Sequence, residues 1–95
     1  MENARVINPS DVRMFYFGSK DVLTQSHERE TRKQKIKRAV SLTNNVSHQP
    51  INILIKLPTG ETVQTQSDSL DCADDVVVVR GGHTIPIMAI LDVAV

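Results

Sequence analysis

Cysteine is almost absent from this chain of 95 residues, because Cys72 is the single one. One cysteine excludes an internal disulfide. The chain also lacks the paired Cys and His spacing of a zinc site, since His27, His48 and His83 are each isolated in the sequence. Residues 68–75 are acidic but lack the ligand order and the central glycine of a calcium loop. We therefore expect neither a metal ion nor a cofactor.

Long apolar runs are also missing from the chain. The opening residues Met-Glu-Asn-Ala-Arg have no apolar segment of the kind found in a signal peptide, and no later run approaches the length of a membrane span. Together with the lack of a disulfide framework, this predicts a cytoplasmic protein that makes no membrane contact.

The residue combinations of a catalytic site are equally scarce. Cys72 lies in an acidic stretch, where a thiol is a poorer nucleophile. Asp74 and Asp75 are neighbours, and neighbouring side chains on a strand point to opposite faces. Gly81 and Gly82 are not followed by a helix, so they do not form a phosphate-binding loop. We predict a protein that is not an enzyme and that has no small-molecule substrate.

Charge is present but unevenly distributed. The chain has 11 basic and 11 acidic residues. Residues 1–56 contain ten of the basic and five of the acidic residues, whereas residues 57–95 contain one basic and six acidic residues. This difference is typical of a protein that contacts nucleic acid or an acidic partner, and equally of two halves that attract each other within one chain or between subunits.

Residues 1–25 are predicted to be a flexible lead-in. All three aromatic residues of the chain, Phe15, Tyr16 and Phe17, lie in this segment and are candidate partner-binding residues. One interpretation is that they dock or stack on another molecule. The other is that residues 12–17, the aromatic segment, form a short strand or anchor that packs the lead-in onto the rest of the protein.

Residues 27–43 predict a helix with Ser26 as its N-cap. Its apolar stripe is short, with Ile36, Ala39 and Val40, so the first two turns have no side that could face a core. Six basic residues fall within ten positions of this helix and are the candidate nucleic-acid-binding residues. They are Arg29, Arg32, Lys33, Lys35, Lys37 and Arg38.

Three interpretations of these basic residues remain open. They can neutralise phosphates, which gives salt-dependent binding without sequence preference. They can instead belong to a solvated helix with local ion pairs, such as one between Glu28 and Arg32. In the third, the helix docks on residues 68–75, the acidic stretch, of its own or of a neighbouring subunit.

From residue 51 onward the apolar pattern changes to the alternation of β-strands. Pro58-Thr59-Gly60 predicts a tight turn, and Gly81-Gly82 predicts a two-residue hairpin loop with positive φ. The acidic stretch is expected to be a loop, and residues 88–90 a single 3₁₀ turn. We predict five strands, at residues 51–57, 61–67, 76–79, 83–87 and 91–95. The fold class is then mainly β (α+β), with a helix before a five-stranded, strongly bent small barrel over residues 51–95, in a domain of residues 26–95.

The order of these features resembles the Sm-like fold, and in particular that of the bacterial Sm-like RNA chaperones. The likeness lies in an apolar strand followed by the turn glycine Gly60, the acidic stretch, the β-branched run at 76–79, and two final strands separated by one turn. A generic SH3-like barrel has a similar pattern. The resemblance implies an Sm-like barrel, and it also implies ring formation through edge strands, which Pro86 would weaken on one side.

The RNA-site residues of that family are not matched in this chain. Asp75 stands where the family has an aromatic residue before the third strand, and Ile87 and Met88 stand where it has a Lys-His pair. The family's central pore site is therefore not carried over, and RNA would have to bind on the basic helix.

These observations predict a non-enzymatic small-barrel binding or adaptor protein. Its expected partner is RNA, or an acidic protein surface, at the basic helix. The alternative is a protein–protein or self-assembly module with no nucleic-acid role, which would use the open strand edges and the aromatic segment to form a homo-oligomer.

Overall fold

The computed structural model describes residues 4–45 and 50–94. Over these residues the chain is α+β, with one α-helix, two 3₁₀ helices and seven strands in two sheets. The helix α1 spans Ser26–Asn45, and the 3₁₀ helices span Pro9–Met14 and Ile87–Ala89. The strands are β1 Arg5–Ile7, β2 Ile51–Lys56, β3 Thr62–Ser67, β4 Leu70–Ala73, β5 Val76–Val79, β6 His83–Pro86 and β7 Ile90–Ala94. His48 and Val95, to which the sequence predictions refer, lie outside the described residues.

The strands form a four-stranded sheet in the order β1-β3-β2-β7 and a three-stranded sheet in the order β4-β5-β6. The chain passes from one sheet to the other at the bend between β3 and β4. Ser67 stabilises this bend, because its buried hydroxyl donates to the Ser69 carbonyl at 2.6 Å and accepts from the Arg80 amide at 3.0 Å. Among the described residues no strand ladder joins the two sheets, so closure into a barrel stays a prediction.

The core follows from the alternation of apolar residues in β2. Ile51, Ile53 and Ile55 are fully buried, while the residues between them are partly exposed. In β3 the same alternation turns Val63 and Thr65 inward, as the sequence predicts. The interior is therefore built from one face of each strand, as expected for sheets with one solvated side.

The strand Val76–Val79 is buried on one face only, although all four of its residues are apolar. Val77 and Val79 are buried, but Val76 and Val78 are only half-buried. The reason is that β5 has a strand on each side but a core on only one of its faces.

The acidic stretch is not a loop throughout, which corrects the sequence prediction. Its middle part is β4, which pairs with β5 in an antiparallel ladder. Leu70 supplies the buried anchor of this strand, whereas Asp71 is exposed. A two-residue turn follows, in which Asp74 has a positive φ of 55°. The four aspartates of the acidic stretch make its sequence resemble that of a loop, because β4 has only one buried apolar residue, Leu70.

Like β4, the strand β1 in the lead-in is not among the five strands that the sequence predicts. Arg5–Ile7 pairs in parallel with β3, so β3 is an inner strand of its sheet. Val12, in the first 3₁₀ helix, is fully buried in the core. The segment thus packs onto the sheet, and the expected flexibility of residues 1–25 stays a prediction.

The hairpin between β5 and β6 is one residue longer than predicted. Gly81 and Gly82 do have positive φ, at 90° and 81°. Val79 pairs directly with His83, however, so the loop comprises residues 80–82. The Gly82 amide donates to the Val79 carbonyl at 3.0 Å and closes the turn.

Helix α1 lies against β7 and β4, one strand from each sheet. Ile36 and Ala39 are its buried contacts with the core. No helix in the described part of the chain is long and apolar enough to cross a membrane. The remaining faces of α1 carry the basic residues.

Candidate nucleic-acid interface

The structure divides the six basic residues of α1 into two groups of three. The first group, Arg29, Arg32 and Lys35, is held by partners within the chain. The second group, Lys33, Lys37 and Arg38, makes no hydrogen bond or ion pair with any described residue, and all three side chains are exposed. The set of unpaired bases on α1 is therefore smaller than the six that the sequence predicts.

Arg32 is the most firmly held of the first group. Its side chain is only 6% exposed, and its two terminal nitrogens bond the two carboxylate oxygens of Asp21 at 2.8 and 2.7 Å. One of these nitrogens, Nη1, also donates to the Ile90 carbonyl at 3.0 Å. A guanidinium occupied in this way is not available for a phosphate. The structure therefore does not support Arg32 as a nucleic-acid-binding residue.

Two further bases are bound to the rest of the chain more weakly. Nε of Arg29 donates to the Leu23 carbonyl at 2.8 Å and lies 3.6 Å from the Asp21 carboxylate. Nζ of Lys35 donates to Asp92 at 2.7 Å, and both side chains are about half exposed. These contacts attach α1 to the lead-in and to β7.

Asp21 is thus a shared acceptor for the first turns of α1. Its pKa lies below the usual range, chiefly because its carboxylate accepts hydrogen bonds from Arg32. Partial burial opposes this effect, while the Leu23 amide and the charges of Arg32 and Arg29 lower the pKa further. The carboxylate is consequently ionised over the whole neutral range.

The local ion pair that the sequence favours for the bases of α1 does not form. Glu28 does not pair with Arg32, because Arg32 turns towards Asp21. The basic helix does pack beside β4, where the Thr43 hydroxyl donates to the Leu70 carbonyl at 3.4 Å. Among the described residues, however, none of its bases pairs with an aspartate of the acidic stretch.

A groove of about 340 Å³ runs between α1 and the turn that joins β4 to β5. Its apolar wall comes from Ile36, Ile87 and Cys72. Lys33 and Lys37 line the groove together with Arg29 and Arg32, and Asp74 is the one acidic residue among its lining residues. The lining of the groove is therefore mainly basic, and it includes the two unpaired lysines.

The aromatic segment is divided between packing and exposure. Phe15 and Phe17 are partly buried and pack against the core, and the Arg5 guanidinium lies 5.7 Å from the Phe15 ring centre. Tyr16 is 78% exposed. The segment is an anchor at two of its rings, in a 3₁₀ helix and an extended stretch instead of a strand, and it presents the third ring to solvent.

Asp75, Ile87 and Met88, the positions compared with the chaperone family in the sequence, take part in backbone hydrogen bonds. The Ile87 amide donates to the Asp75 carbonyl at 2.9 Å, and the Val22 amide donates to the Met88 carbonyl at 2.8 Å. These bonds connect the β4–β5 turn and the lead-in to the 3₁₀ turn before β7. The three side chains lie at a junction of the backbone.

Within residues 4–45 and 50–94 no three His, Cys, Asp or Glu side chains are close enough together to hold a metal ion. Comparison with protein-family models, with curated proteins and with solved structures finds no match for this chain. Functional inference therefore depends on the charge and geometry of the surface.

Sequence reasoning missed Asp21 and Asp92, the two residues that decide which bases remain available. Asp21 lies among the residues predicted to be a flexible lead-in, and Asp92 lies 57 positions after Lys35. The charge sign of each is visible in the sequence, but its position beside α1 depends on the tertiary fold.

Proposed function

We propose that this protein is a non-enzymatic binding module of the cytoplasm that holds single-stranded RNA on the exposed bases of α1. The observation that carries the proposal is the separation of these bases. Lys33, Lys37 and Arg38 have no acidic partner within residues 4–45 and 50–94, while the neighbouring bases fix the helix to the fold. Because the backbone of the helix is already fixed, binding has to order only the side chains of these bases.

The spacing of the free bases suits a phosphate backbone. Lys33 and Lys37 are four residues apart, so their Cβ atoms lie about 5–6 Å from each other on one helix face. Both line the groove beside β4, and Arg38 extends the charge along the same helix. Lysines bind phosphate as point charges, which agrees with binding that does not depend on base sequence.

We further propose that the two sheets are the halves of a small Sm-like or SH3-like barrel. This is supported by the order of β7, β2 and β3, by the bend that continues β3 into β4, and by the 3₁₀ turn between β6 and β7. In such a barrel the strands support the helix beside them, and the helix provides the surface that binds RNA.

The first test is binding of the purified protein to a mixed pool of single-stranded RNA at low salt, followed through a salt titration. We expect the logarithm of the binding constant to fall linearly with the logarithm of the salt concentration, with a slope of about −0.7 for each phosphate contact. A protein that ignores the RNA pool at low salt, with its fold intact by circular dichroism, would contradict the proposal.

A second candidate function is self-assembly, and one observation favours it. Among the residues that the structure describes, the exposed large hydrophobic ones are Val6, Met14 and Tyr16, at 64%, 78% and 78% exposure, and all three lie in the lead-in. Val6 belongs to β1, an outer strand of its sheet whose free edge can pair with another chain. Native mass measured with and without the RNA pool separates the two functions, because self-assembly gives a stable oligomer without RNA.

A further inference from the structure

A second surface, separate from α1, combines an aromatic ring with positive charge. A cleft of about 330 Å³ lies between the end of the aromatic segment and the turn that follows β2. Tyr16 and Lys20 line one side, Lys56 and Pro58 line the other, and Val22 contributes to the apolar lining. None of the basic residues of α1 lines this cleft.

Tyr16 is exposed although the chain on either side of it is fixed. Phe15 and Phe17 pack against the core, so the ring between them must point outward. Gly18 lies directly on the turn, since a Cβ placed on it would meet Cγ of Pro58 at 3.4 Å. Further along, the Val22 amide is bonded to the Met88 carbonyl. The backbone that carries the exposed ring is therefore fixed beside the cleft.

The charges of the cleft are of one sign. Lys20 and Lys56 are exposed and have no hydrogen-bond or ion-pair partner among the described residues. No carboxylate lines the cleft. An accessible π-face beside two unpaired ammonium groups complements a planar base that carries a phosphate, because the ring stacks on the base and the lysines neutralise the phosphate.

We propose that this cleft is a nucleotide subsite, in which Tyr16 stacks on one unpaired base and Lys20 and Lys56 hold the adjoining phosphate. The ligand is a nucleoside monophosphate unit, either free or within a single strand. The subsite goes beyond the proposed function, because it uses different residues and does not require RNA to bind on α1.

The chain supplies its own reporter for this site. Tyr16 is the only tyrosine, and there is no tryptophan, so its ring protons give a unique set of NMR signals. We expect these signals to move upfield when a uridine or adenosine trinucleotide is added. Stacking places the protons of the tyrosine ring in the region that is shielded by the ring current of the base. Inorganic phosphate should leave them in place. A shift with a free 5′-monophosphate as well identifies the free nucleotide as a ligand, and a shift with the trinucleotide alone identifies the strand.

Three variants test the roles of the side chains. Tyr16→Ala should lower trinucleotide affinity by about 5- to 150-fold, the range found for loss of one stacked base, whereas Tyr16→Phe keeps a π-face and should retain most of it. Lys20→Gln combined with Lys56→Gln should reduce the salt slope by about 0.7, because the two lysines together hold one phosphate. Tyr16 is exposed, so its replacement should leave the folded state intact.

The subsite and the α1 proposal fail in different ways. In a protein with Lys33→Gln and Lys37→Gln, the shift of the Tyr16 signals should persist even if binding to α1 is lost. Ring signals that do not move with the trinucleotide, or equal trinucleotide affinity for Tyr16→Ala and the unmodified protein, would overturn the subsite.

Discussion

The guanidinium of Arg32 and the carboxylate of Asp21 form a bidentate ion pair that fixes the lead-in to α1. The same guanidinium donates to the Ile90 carbonyl at the start of β7, so one side chain joins three segments of the chain. We call this arrangement the Asp21–Arg32 clamp. It removes one base from the exposed surface of α1 and sets the position of the others.

Breaking the clamp on one side should strongly destabilise the fold. Asp21→Asn leaves the Arg32 charge in a site that is 6% exposed, without its counter-ion. Loss of one partner of a buried pair typically costs about 3 kcal/mol or more of the free energy of unfolding, which urea titration measures. Replacing both partners with apolar residues, Asp21→Leu and Arg32→Met, should recover most of the loss, because no charge is then left unpaired.

The pair between Lys35 and Asp92 is the matched control for this experiment. It also attaches α1 to the rest of the fold, in this case to β7, but both of its side chains are about half exposed. Lys35→Gln should therefore cost less than about 1 kcal/mol. Equal losses for Asp21→Asn and Lys35→Gln would show that burial of the clamp contributes nothing.

The clamp also predicts how stability depends on pH. The pKa of Asp21 is lowered in the folded protein, above all by its hydrogen bonds from Arg32. The folded state therefore binds a proton at this carboxylate less readily than the unfolded state does. The stabilisation is complete above the ordinary aspartate pKa of about 3.9, and it is lost as the pH falls through the lower folded value. The measurement is urea unfolding of the unmodified protein and of Asp21→Asn at several pH values.

The stability difference between these two proteins is the informative quantity. It should be constant near neutral pH and should shrink once the pH falls below about 4. A difference that is independent of pH down to the lowest value at which both proteins fold would contradict the role of the Asp21 charge.

Local patterns in the sequence were sufficient where burial alone decides the structure. The alternation in Ile51–Lys56 predicts which residues of β2 face the core, and the polar strand β3 turns its predicted face inward. The turn glycine Gly60 has the positive φ that its position requires, at 93°. Each of these features depends on residues that are only a few positions apart, so it can be predicted from the local sequence pattern.

Features that depend on distant partners could not be predicted in the same way. Arg32 has an acidic residue four positions earlier, Glu28, and the local rule for helices favours that pair. The fold instead brings up Asp21 together with the Ile90 carbonyl, and these two groups accept hydrogen bonds from both terminal nitrogens of the guanidinium. Likewise, β1 is a strand only because the edge of β3 is available to it, and three residues have no detectable period.

Replacing each of two buried threonines with valine should change the free energy of unfolding in opposite directions. The hydroxyl of Thr65 is fully buried and makes no hydrogen bond among the described residues. Thr43 is also buried, but its hydroxyl donates to the Val40 carbonyl at 3.1 Å and to the Leu70 carbonyl at 3.4 Å. We expect Thr65→Val to raise the free energy of unfolding by about 1 kcal/mol, and Thr43→Val to lower it by about the same amount. Urea unfolding of both variants checks the signs, and a loss in both would mean that the Thr65 hydroxyl has a partner, such as a bound water.

The separation of the α1 bases predicts which of them control RNA binding. Lys33→Gln with Lys37→Gln should reduce the salt slope for single-stranded RNA by about 1.4, because two phosphate contacts are lost. Arg29→Gln with Lys35→Gln removes the same charge from the same helix and keeps a similar helix propensity. These two bases already contact Asp21 and Asp92, so the second variant should lower affinity slightly through net charge but leave the slope nearly unchanged. Fluorescence anisotropy of a labelled strand across a salt series measures both slopes, and an equal reduction in the two variants would show that RNA does not distinguish the free bases from the paired ones.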